Sequence, residues 1–422
     1  MILKTYKFLS NLFFLPILLF FFFRLILSKE NLRSINEKFG IYKKQRPRSK
    51  LIWINAVSIG ESLSVLPIIK KLEKIYPEFK ILLTTSTITS AKILTNRINK
   101  NTIHQFCPID SNFTVKKFLN YWEPNIAIFI ESEFWPNLIS EISKKKIPIF
   151  LLNARISKKS FYRWQVFPKF SKYLFSKFDQ VIAQDESSKE RLISLGFKNV
   201  KNLGNLKFLS EKLPCNFKKL SSLESKVKKR FILLIASSHK NEEEKILSIF
   251  FQIKNKIPEI LLIILPRHIN RTKEIQRILI KRNIKFKIRS QNEQIKNDTD
   301  CYLADTFGEL GLFYNIADII FVGGTLVPHG GQNPIEASNF NCAVIFGPHM
   351  HNFSEISNLL IIKNAAIQVN SLTELDEKVY TLYKKSNLRN LLAKNLKLVC
   401  LNEKNKTRNI WVELKKYFKN KL

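Results

Sequence analysis

The sequence lacks the motifs that mark the commonest metal and nucleotide sites. Its 422 residues contain five scattered cysteines and no CxxC pair. An odd number of scattered cysteines fits a reduced compartment better than a disulfide framework, and it argues against a zinc site. No GxGxxG follows the first strand-like segment and no GxxxxGKS/T occurs. Any nucleotide site must therefore differ from the dinucleotide fingerprint and from the P-loop.

Acidic residues are also few. The chain has 34 aspartates and glutamates against 70 lysines and arginines, a net charge of +36. Such an excess points to an anionic partner: membrane phospholipid, a phosphorylated substrate or nucleic acid. Part of this positive charge is a matter of general composition, because the chain is rich in Lys, Ile, Asn and Phe throughout. Because the cations are spread evenly and no RRM, KH or helix-turn-helix signature occurs, we predict no nucleic-acid partner.

The chain begins with an apolar segment. Residues 12–23 form an unbroken apolar run, and the window 8–27 has only three interruptions. About 20 apolar residues span a bilayer, so we predict a single N-terminal membrane anchor over residues 1–28. No small-residue cleavage motif follows it, which argues against a signal peptide that is removed.

Lysines and arginines are frequent between residues 29 and 50. Positive charge stays on the cytoplasmic side, so we expect the rest of the chain on the cytoplasmic face of the inner membrane. The same cluster would hold the chain against the anionic membrane surface. Pro16 and Arg24 weaken the span, and a monotopic insertion is the alternative.

Apolar strand-like segments alternate with helical ones after the anchor. We predict strands at 51–57, 81–85, 125–130, 149–153, 180–184, 231–236, 261–265, 301–304, 319–322 and 343–346, and a helix at 61–76 interrupted near Pro67. Asp185 is the expected N-cap of the helix that follows the fifth strand. Near-continuous apolar strands separated by helices indicate a parallel sheet covered on both faces.

A polar, lysine-rich pause between residues 210 and 230 predicts two doubly wound, Rossmann-like α/β domains that face a cleft. The predicted bounds are 29–210 for the N-terminal acceptor domain, 211–229 for a linker and 230–405 for the C-terminal domain. Residues 406–422 have apolar side chains at helical spacing, which predicts a packed helix that docks across the domain boundary. Ligands of such sheets gather at the carboxyl ends of the strands.

Residues 305–356 carry the strongest local signal. They predict an apolar helix at 310–317, a short strand, a turn with four glycines and a helix opened by Pro334. Free N–H groups at a first helical turn attract anions, and glycines let the backbone approach a ligand closely. Glu336 lies in that first turn, placed to accept hydrogen bonds from sugar hydroxyls. The segment therefore predicts a nucleotide cradle.

The first strand is followed by a candidate general base. Gly60 predicts a tight turn that presents Ser58 and Glu61 to the cleft. A carboxylate held near a substrate hydroxyl can act as a general base. The alternative role of Glu61 is to complement the helix dipole in the first turn.

Two acids, Glu131 and Glu133, follow another buried strand. One could orient catalytic groups while the other caps the helix that Pro136 opens. Arg155 and Lys207 end two further strands of this half. Their cations suit an acidic sugar or a phosphate.

In the second half, Arg267 ends a strand with a guanidinium ready for a phosphate. His349 and His351 lie two residues apart, but a metal site needs more ligands, so we expect a structural or hydrogen-bonding role. Asp298 and Asp300 are interpreted as solvated turn residues. We predict no metal site.

Taken together, these segments resemble the 3-deoxy-D-manno-octulosonic acid (Kdo) transferase family of lipopolysaccharide assembly. The shared motifs run over nearly the whole chain: NAVSIGE, ESEFWPNL, NARISKKSF, GNLKF, ASSHKNEEE, LPRH and the block 305–356. The resemblance implies a two-domain GT-B glycosyltransferase that uses CMP-Kdo as donor and lipid IVA as acceptor, without a separate cofactor. The rival prediction is another membrane-associated GT-B transferase that uses a UDP-sugar and a lipid acceptor.

The resemblance also implies roles for individual residues. Glu61 matches the family's proton acceptor, and Glu131 and Lys207 match its transition-state-stabilising positions. The positions that match its CMP contacts are Pro266, Arg267, Phe307, Gly308, Glu309, Asn333, Pro334, Ile335 and Glu336.

The chain departs from the family's usual pattern at three places. Asn55 stands where a His is usual, and His329-Gly-Gly-Gln332 stands where Arg-Gly-Gly-His is usual. Leu209 follows GNLKF where an Asp is common. The matched catalytic positions are unchanged, so activity is expected.

Overall fold

The structure, a computed structural model, describes residues 2–95, 97–210 and 212–421. The chain divides into two compact units: Met1–Ser210 together with Glu403–Leu422, and Glu211–Asn402. Each unit has its own parallel sheet and its own buried core.

The described residues of the first unit form a parallel sheet with the strand order β3-β2-β1-β4-β5-β6-β7. The strands are β1 Lys50–Asn55, β2 Phe79–Thr85, β3 Thr102–Phe106, β4 Ile126–Ile130, β5 Ile149–Ala154, β6 Gln180–Ala183 and β7 Val200–Asn202. In register, Asn55 of β1 lies opposite Phe129 of β4. The order reverses between these two strands, so the residues after them share the crevice where doubly wound sheets bind ligands.

Helices cover both faces of this sheet. They are α1 Ile2–Leu12, α2 Phe14–Ile26, α3 Leu32–Lys38, α4 Ile59–Ile75, α5 Ile88–Thr95, α6 Asn112–Trp122, α7 Pro136–Lys144, α8 Lys158–Gln165, α9 Pro168–Phe175 and α10 Glu186–Ser194, with a 3-10 helix at Leu206–Leu209. Asp185 is confirmed as the N-cap of α10, since its side chain accepts the Ser188 backbone N–H. Two predictions for α4 are wrong: the helix continues through Pro67, and Gly60 lies inside it instead of forming a tight turn.

The second unit repeats the plan with the strand order β10-β11-β9-β8-β12-β13-β14 among its described residues. Its strands are β8 Phe231–Ser238, β9 Ile260–Pro266, β10 Phe286–Ile288, β11 Cys301–Leu303, β12 Ile319–Val322, β13 Ala343–Phe346 and β14 Ile367–Gln368. Its helices are α11 Phe217–Val227, α12 Glu242–Ser248, α13 Phe250–Lys256, α14 Thr272–Lys281, α15 Leu310–Ile316, α16 Ser354–Ile362 and α17 Leu372–Lys384, with 3-10 helices at Ile269–Arg271 and Pro334–Asn339. Here the order reverses between β8 and β12.

The segment predicted as a linker contains α11, whose Leu220, Leu223 and Val227 are buried. An amphipathic helix of this kind packs as part of a domain, since apolar side chains at this spacing face one side. Asp300 is also different from the prediction. It is buried and accepts a hydrogen bond from the Lys254 ammonium, whereas Asp298 is exposed as expected.

The last two helices are α18 Ser386–Arg408 and α19 Ile410–Lys421. Ile410, Leu414 and Phe418 of α19 repeat at a spacing of four and are at most 1% exposed. They belong to the same apolar core as β1 and α4 in the first unit. Burying side chains of this size stabilises a fold by roughly 1.5–3 kcal/mol each.

The N-terminal segment differs from a continuous span. Among the described residues no single helix is long and apolar enough to cross a membrane; α1 and α2 pass that test only as a pair, bent by 50° at residue 13. Polar side chains of α1 contact the rest of the first unit. The Tyr6 hydroxyl donates to Asp110 at 2.9 Å, Lys7 pairs with Glu141, and Ser10 accepts from Asn137.

Candidate functional site

Glu61 lies in the first turn of α4 with 8% of its surface exposed. Its Oε2 accepts the Val57 backbone N–H at 2.9 Å, and its Oε1 accepts the Ser58 hydroxyl at 2.7 Å. The Ser58 oxygen also accepts the Glu61 backbone N–H at 3.2 Å as the helix N-cap. Burial, followed by the carboxylates of Glu133 and Glu131, raises the pKa of Glu61 to about 8. A carboxylate tuned in this way is suited to general-base chemistry near neutral pH.

Glu131 directly follows β4 in the left-handed backbone region, with φ at +61°. A non-glycine residue there costs on the order of 1 kcal/mol or more and persists only where its surroundings hold it. Its N–H donates to the Leu152 carbonyl at 3.0 Å. Its Oε1 accepts a hydrogen bond from Nδ2 of Asn153 at 3.4 Å. The carboxylate is therefore fixed from the neighbouring strand β5.

Lys207 lies in the 3-10 helix that follows β7. Asn205 caps this helix and accepts the Lys207 backbone N–H at 3.0 Å. Burial has the largest effect on the pKa of the Lys207 ammonium and lowers it. The carboxylates of Glu131 and Glu61 raise this pKa, and the cation of Arg155 lowers it further. The structure thus brings the three predicted catalytic residues close enough to interact within one unit.

Neither acid after β4 caps α7 with its side chain. The first N–H groups of that helix, those of Asn137 and Leu138, donate to Asp110 at 3.1 and 2.8 Å. The capping prediction is wrong because this carboxylate, from the loop after β3, takes those donors. Glu133 instead accepts the indole N–H of Trp135 at 2.6 Å. Burial raises the pKa of Glu133 to about 7.

Asn55 lies beneath the site. It is fully buried at the end of β1, and its Oδ1 accepts the Thr84 hydroxyl at 2.8 Å. Its Nδ2 has no hydrogen-bond partner among the described residues. Asn55, where the resemblance leads one to expect a His, therefore lies in the sheet under the site.

The predicted nucleotide-binding residues lie along the carboxyl edge of the second sheet. Pro266 ends β9 and Arg267 follows it, residues 307–309 follow β11, and residues 333–336 follow β12. The guanidinium of Arg267 makes no hydrogen bond or ion pair with the part of the chain that the structure describes. Burial raises the pKa of Glu336 to about 7, and the Arg267 cation opposes this rise. A guanidinium whose N–H groups are not engaged by the described residues can bind phosphate.

Two of these residues behave differently from simple ligand contacts. Arg289 holds the Glu309 carboxylate with two hydrogen bonds at 3.0 Å, and Lys219 adds one at 2.8 Å. These cations, Arg289 first, lower the pKa of Glu309 to about 2. Phe307, in contrast, is 87% exposed. Glu309 and Phe307 both border a cavity of about 670 Å³. This volume is within the range of ligand pockets.

The glycine-rich loop, residues 323–332, is held by a residue for which the sequence predicted no role. The carboxylate of Glu242 accepts three successive backbone N–H groups, of residues 324–326, at 2.7 to 3.0 Å. The loop closes where the Gln332 N–H donates to the Gly323 carbonyl at 3.1 Å. The only sign of this role in the sequence was the run of three glutamates in ASSHKNEEE, which begins with Glu242.

The helix predicted at Pro334 is a six-residue 3-10 helix, Pro334–Asn339. Asn333 caps it, and its side-chain oxygen accepts the Ile335 N–H at 3.2 Å. One of the donors expected to attract an anion is therefore already engaged.

Two parallel, doubly wound sheets with site residues at their carboxyl edges define an α/β protein of the GT-B glycosyltransferase class. A solved glycosyltransferase from Rickettsia africae has this fold, with a TM-score of 0.57 and 14% identity over 88% of this chain and 98% of that one. A HepE protein from Anabaena, solved with UDP, matches with a TM-score of 0.56 and 12% identity, covering 87% of this chain and 100% of that one. At such identities the likeness shows the fold alone.

Sequence comparison defines the family. The family model described as 3-deoxy-D-manno-octulosonic-acid transferase matches residues 33–210. A 3-deoxy-D-manno-octulosonic acid transferase of Rickettsia bellii is 39% identical over 95% of this chain and 96% of its own length. One of Haemophilus influenzae is 34% identical over 82% of each chain. The chain belongs to the 3-deoxy-D-manno-octulosonic acid transferase family and is a glycosyltransferase, which confirms the family expected from its motifs.

Proposed function

We propose that this enzyme transfers Kdo from CMP-Kdo to a hydroxyl of lipid IVA in lipopolysaccharide biosynthesis. Membership of the family supports the sugar. The observation that carries the mechanism is the buried Glu61 carboxylate, held by Val57 and Ser58 and raised in pKa to about 8. A sugar hydroxyl becomes a strong nucleophile only as it loses its proton, and a base with a pKa near the working pH is suited to accept it.

The proposed reaction is a single inverting displacement. The 6′-hydroxyl oxygen of the acceptor forms a bond to the anomeric carbon of Kdo while its proton moves to Glu61. The bond from that carbon to the phosphate oxygen breaks at the same time, and its electron pair leaves with CMP. Glu61 therefore ends the step protonated, and the phosphate gains one negative charge.

Cations balance that charge. In the first unit, Lys207 lies near Glu131. In the second, the Arg267 guanidinium makes no hydrogen bond or ion pair with the described residues, although its charge acts on Glu336. We assign Arg267 to the leaving phosphate and Lys207, positioned with Glu131, to the charge that develops on the reacting sugar. Preorganised cations of this kind are often the largest single contribution to catalysis.

The donor nucleotide is assigned to the carboxyl edge of the second sheet. Glu336, partly buried beside Arg267, would accept hydrogen bonds from the ribose hydroxyls. The exposed Phe307 ring would pack against the base at the border of its cavity. Glu309 would act through its ion pair with Arg289, which fixes the loop that carries Phe307.

We also propose that α1 and α2 hold the enzyme on the cytoplasmic face of the inner membrane. Leu19, Phe20, Phe22 and Phe23 of α2 are each more than half exposed. Large apolar side chains exposed in a contiguous group mark a protein or membrane contact. Basic residues after the anchor would add attraction to anionic headgroups.

A donor panel tests the function. Purified enzyme is incubated with lipid IVA and either CMP-Kdo, generated in situ, or UDP-sugars, and products are weighed by mass spectrometry. A gain of one or more Kdo masses with CMP-Kdo alone is expected. A gain from a UDP-sugar instead would establish the rival GT-B function.

A further inference from the structure

The carboxyl edge of the second sheet contains a residue with no assigned role. Four adjacent strands, in the order β11-β9-β8-β12, end there. Three of them are followed by residues assigned to the nucleotide, whereas β8, in the middle, is not. The residue directly after β8 is His239. The ends of β8 and β9 are joined at this point, because the Arg267 N–H donates to the Ser238 carbonyl at 3.0 Å.

His239 is 7% exposed and packed among other polar side chains. Its ring lies against that of His329, with centroids 3.7 Å apart, and 6.0 Å from that of His268. Gly324 makes this packing possible, because a Cβ there would lie 3.0 Å from Cδ2 of His239. The glycine-rich loop is therefore shaped around this imidazole.

The hydrogen bond to Gln332 fixes the position of the proton. Nε2 of the Gln332 carboxamide lies 2.9 Å from Nε2 of His239. With the Gln332 carboxamide in this orientation its nitrogen donates, Nε2 of His239 accepts, and the ring proton lies on Nδ1. Nδ1 makes no hydrogen bond with the described residues. His239 is 7% exposed at the edge assigned to an anionic ligand. An N–H donor there that the described residues leave unengaged is available to an acceptor oxygen of that ligand.

We propose that His239 donates a hydrogen bond from Nδ1 to an anionic oxygen of the nucleotide-activated acidic sugar, and that Gln332 is the positioning residue that keeps the proton on Nδ1. The proposal rests on the proposed function, because the anion is taken to be the CMP-linked donor. Its phosphate and its sugar carboxylate offer the same chemistry, an oxygen that accepts from a neutral N–H.

The surroundings favour a neutral donor in this place. Burial, and then the neighbouring His329, His268, Arg267 and Arg271, lower the pKa of His239 to about 4. The imidazole therefore stays uncharged near neutral pH. It contributes direction, while the adjacent Arg267 contributes charge.

Two near-isosteric variants separate the two ring nitrogens. His239→Asn places an amide nitrogen near the position of Nδ1, and His239→Gln places its amide near Nε2. Hydrogen bonds to charged groups contribute enough that losing one lowers affinity about 10- to 100-fold. We expect that loss in His239→Gln, whereas His239→Asn should stay within about threefold of wild type. Circular dichroism and melting temperature check that both variants fold.

The ligand series identifies the oxygen. If the phosphate accepts, His239→Gln binds CMP more weakly and cytidine unchanged. If the sugar carboxylate accepts, CMP affinity is unchanged and KM for CMP-Kdo rises. Unchanged CMP affinity together with unchanged KM, or an equal loss in both variants, would overturn the proposal. A wild-type enzyme that does not bind CMP would instead count against the proposed function.

Nitrogen NMR tests the proton position without any donor. Among six histidines, the His239 signals are assigned by their disappearance in His239→Asn. Wild type should show a protonated Nδ1 and an unprotonated Nε2, and Gln332→Leu should release the ring to exchange between tautomers. A protonated Nε2 in wild type would overturn the proposal.

Discussion

Asn153 donates a hydrogen bond from its side-chain nitrogen to Oε1 of Glu131, from the end of β5 to the end of β4. Its Oδ1 accepts the Leu206 backbone N–H at 2.9 Å. One buried amide thus links the Glu131 carboxylate to the short helix that carries Lys207. Asn153 itself has φ at +57°, a conformation that asparagine tolerates better than most residues.

Replacing that amide should separate catalysis from binding. In Asn153→Asp the acceptor for Leu206 is kept, but the donor to Glu131 is lost and a second carboxylate is added. Because Asn153 acts through Glu131, we expect kcat to fall about 10- to 100-fold, less than the roughly 10²- to 10³-fold cost of losing a donor at the reacting centre itself. CMP affinity, which depends on the other unit, should not change. Steady-state kinetics with calorimetric CMP binding measures both, and an unchanged kcat would contradict the linking role.

The pH profile should report Glu61. Only its ionised form accepts a proton, and its pKa is raised to about 8. We therefore expect kcat/KM to rise with pH and level off above about 8, with a limb that reflects the free enzyme. A profile that is flat between pH 6 and 9, with chemistry rate-limiting, would exclude this carboxylate as the base.

Glu133 should set where that limb lies. Its carboxylate is the largest charge effect that raises the pKa of Glu61, after burial. Glu133→Gln removes the charge and keeps an acceptor for the Trp135 indole. The acid limb of kcat/KM should shift to lower pH, whereas Glu186→Gln on the exposed start of α10 should leave it in place. An unmoved limb in Glu133→Gln would show that the Glu133 charge does not raise the pKa of Glu61.

The same raised pKa predicts a cost in stability. The folded chain holds a proton on Glu61 up to about pH 8, whereas the unfolded chain releases it near 4.5. Stability from this group is present below the unfolded value and is lost as pH rises through the folded one. The melting temperature of Glu61→Gln relative to wild type should therefore be higher at pH 9 than at pH 5, by about 2–4 °C for each kcal/mol involved. A constant difference across that range would contradict the raised pKa.

The helix pair should determine membrane association. Replacing Phe20, Phe22 and Phe23 by Ser removes exposed apolar side chains from α2 and leaves the contacts of α1 with Asp110 and Glu141 intact. We expect flotation with anionic vesicles to be lost while CMP binding persists. Equal flotation of this variant and wild type would place the membrane contact elsewhere.

Some of the architecture follows directly from the sequence. Apolar runs such as 126–130 and 319–322 predict buried parallel strands, and Asp185 predicts a helix start. β3 was missed because His104 and Gln105 interrupt its apolar pattern, although both are buried in the structure. Polar residues buried inside a sheet leave no periodic apolar signal in the sequence.

The site was predictable only in part, because some of its contacts join residues that are far apart in the sequence. Glu61 and Glu131 were found because each follows a strand. The contact of His239 with Gln332 joins residues 93 positions apart, and the cap of α7 comes from Asp110, so neither has a local pattern. Such pairs depend on which strands become neighbours, a property of the whole sheet.

The most direct test of the central claim is transfer by Glu61→Gln from CMP-Kdo to lipid IVA, measured by mass spectrometry beside calorimetric binding of CMP. The account predicts a rate lowered by about 10²- to 10⁴-fold, the usual contribution of a general base, with CMP affinity unchanged. Transfer at the wild-type rate by a variant that binds CMP normally would contradict it.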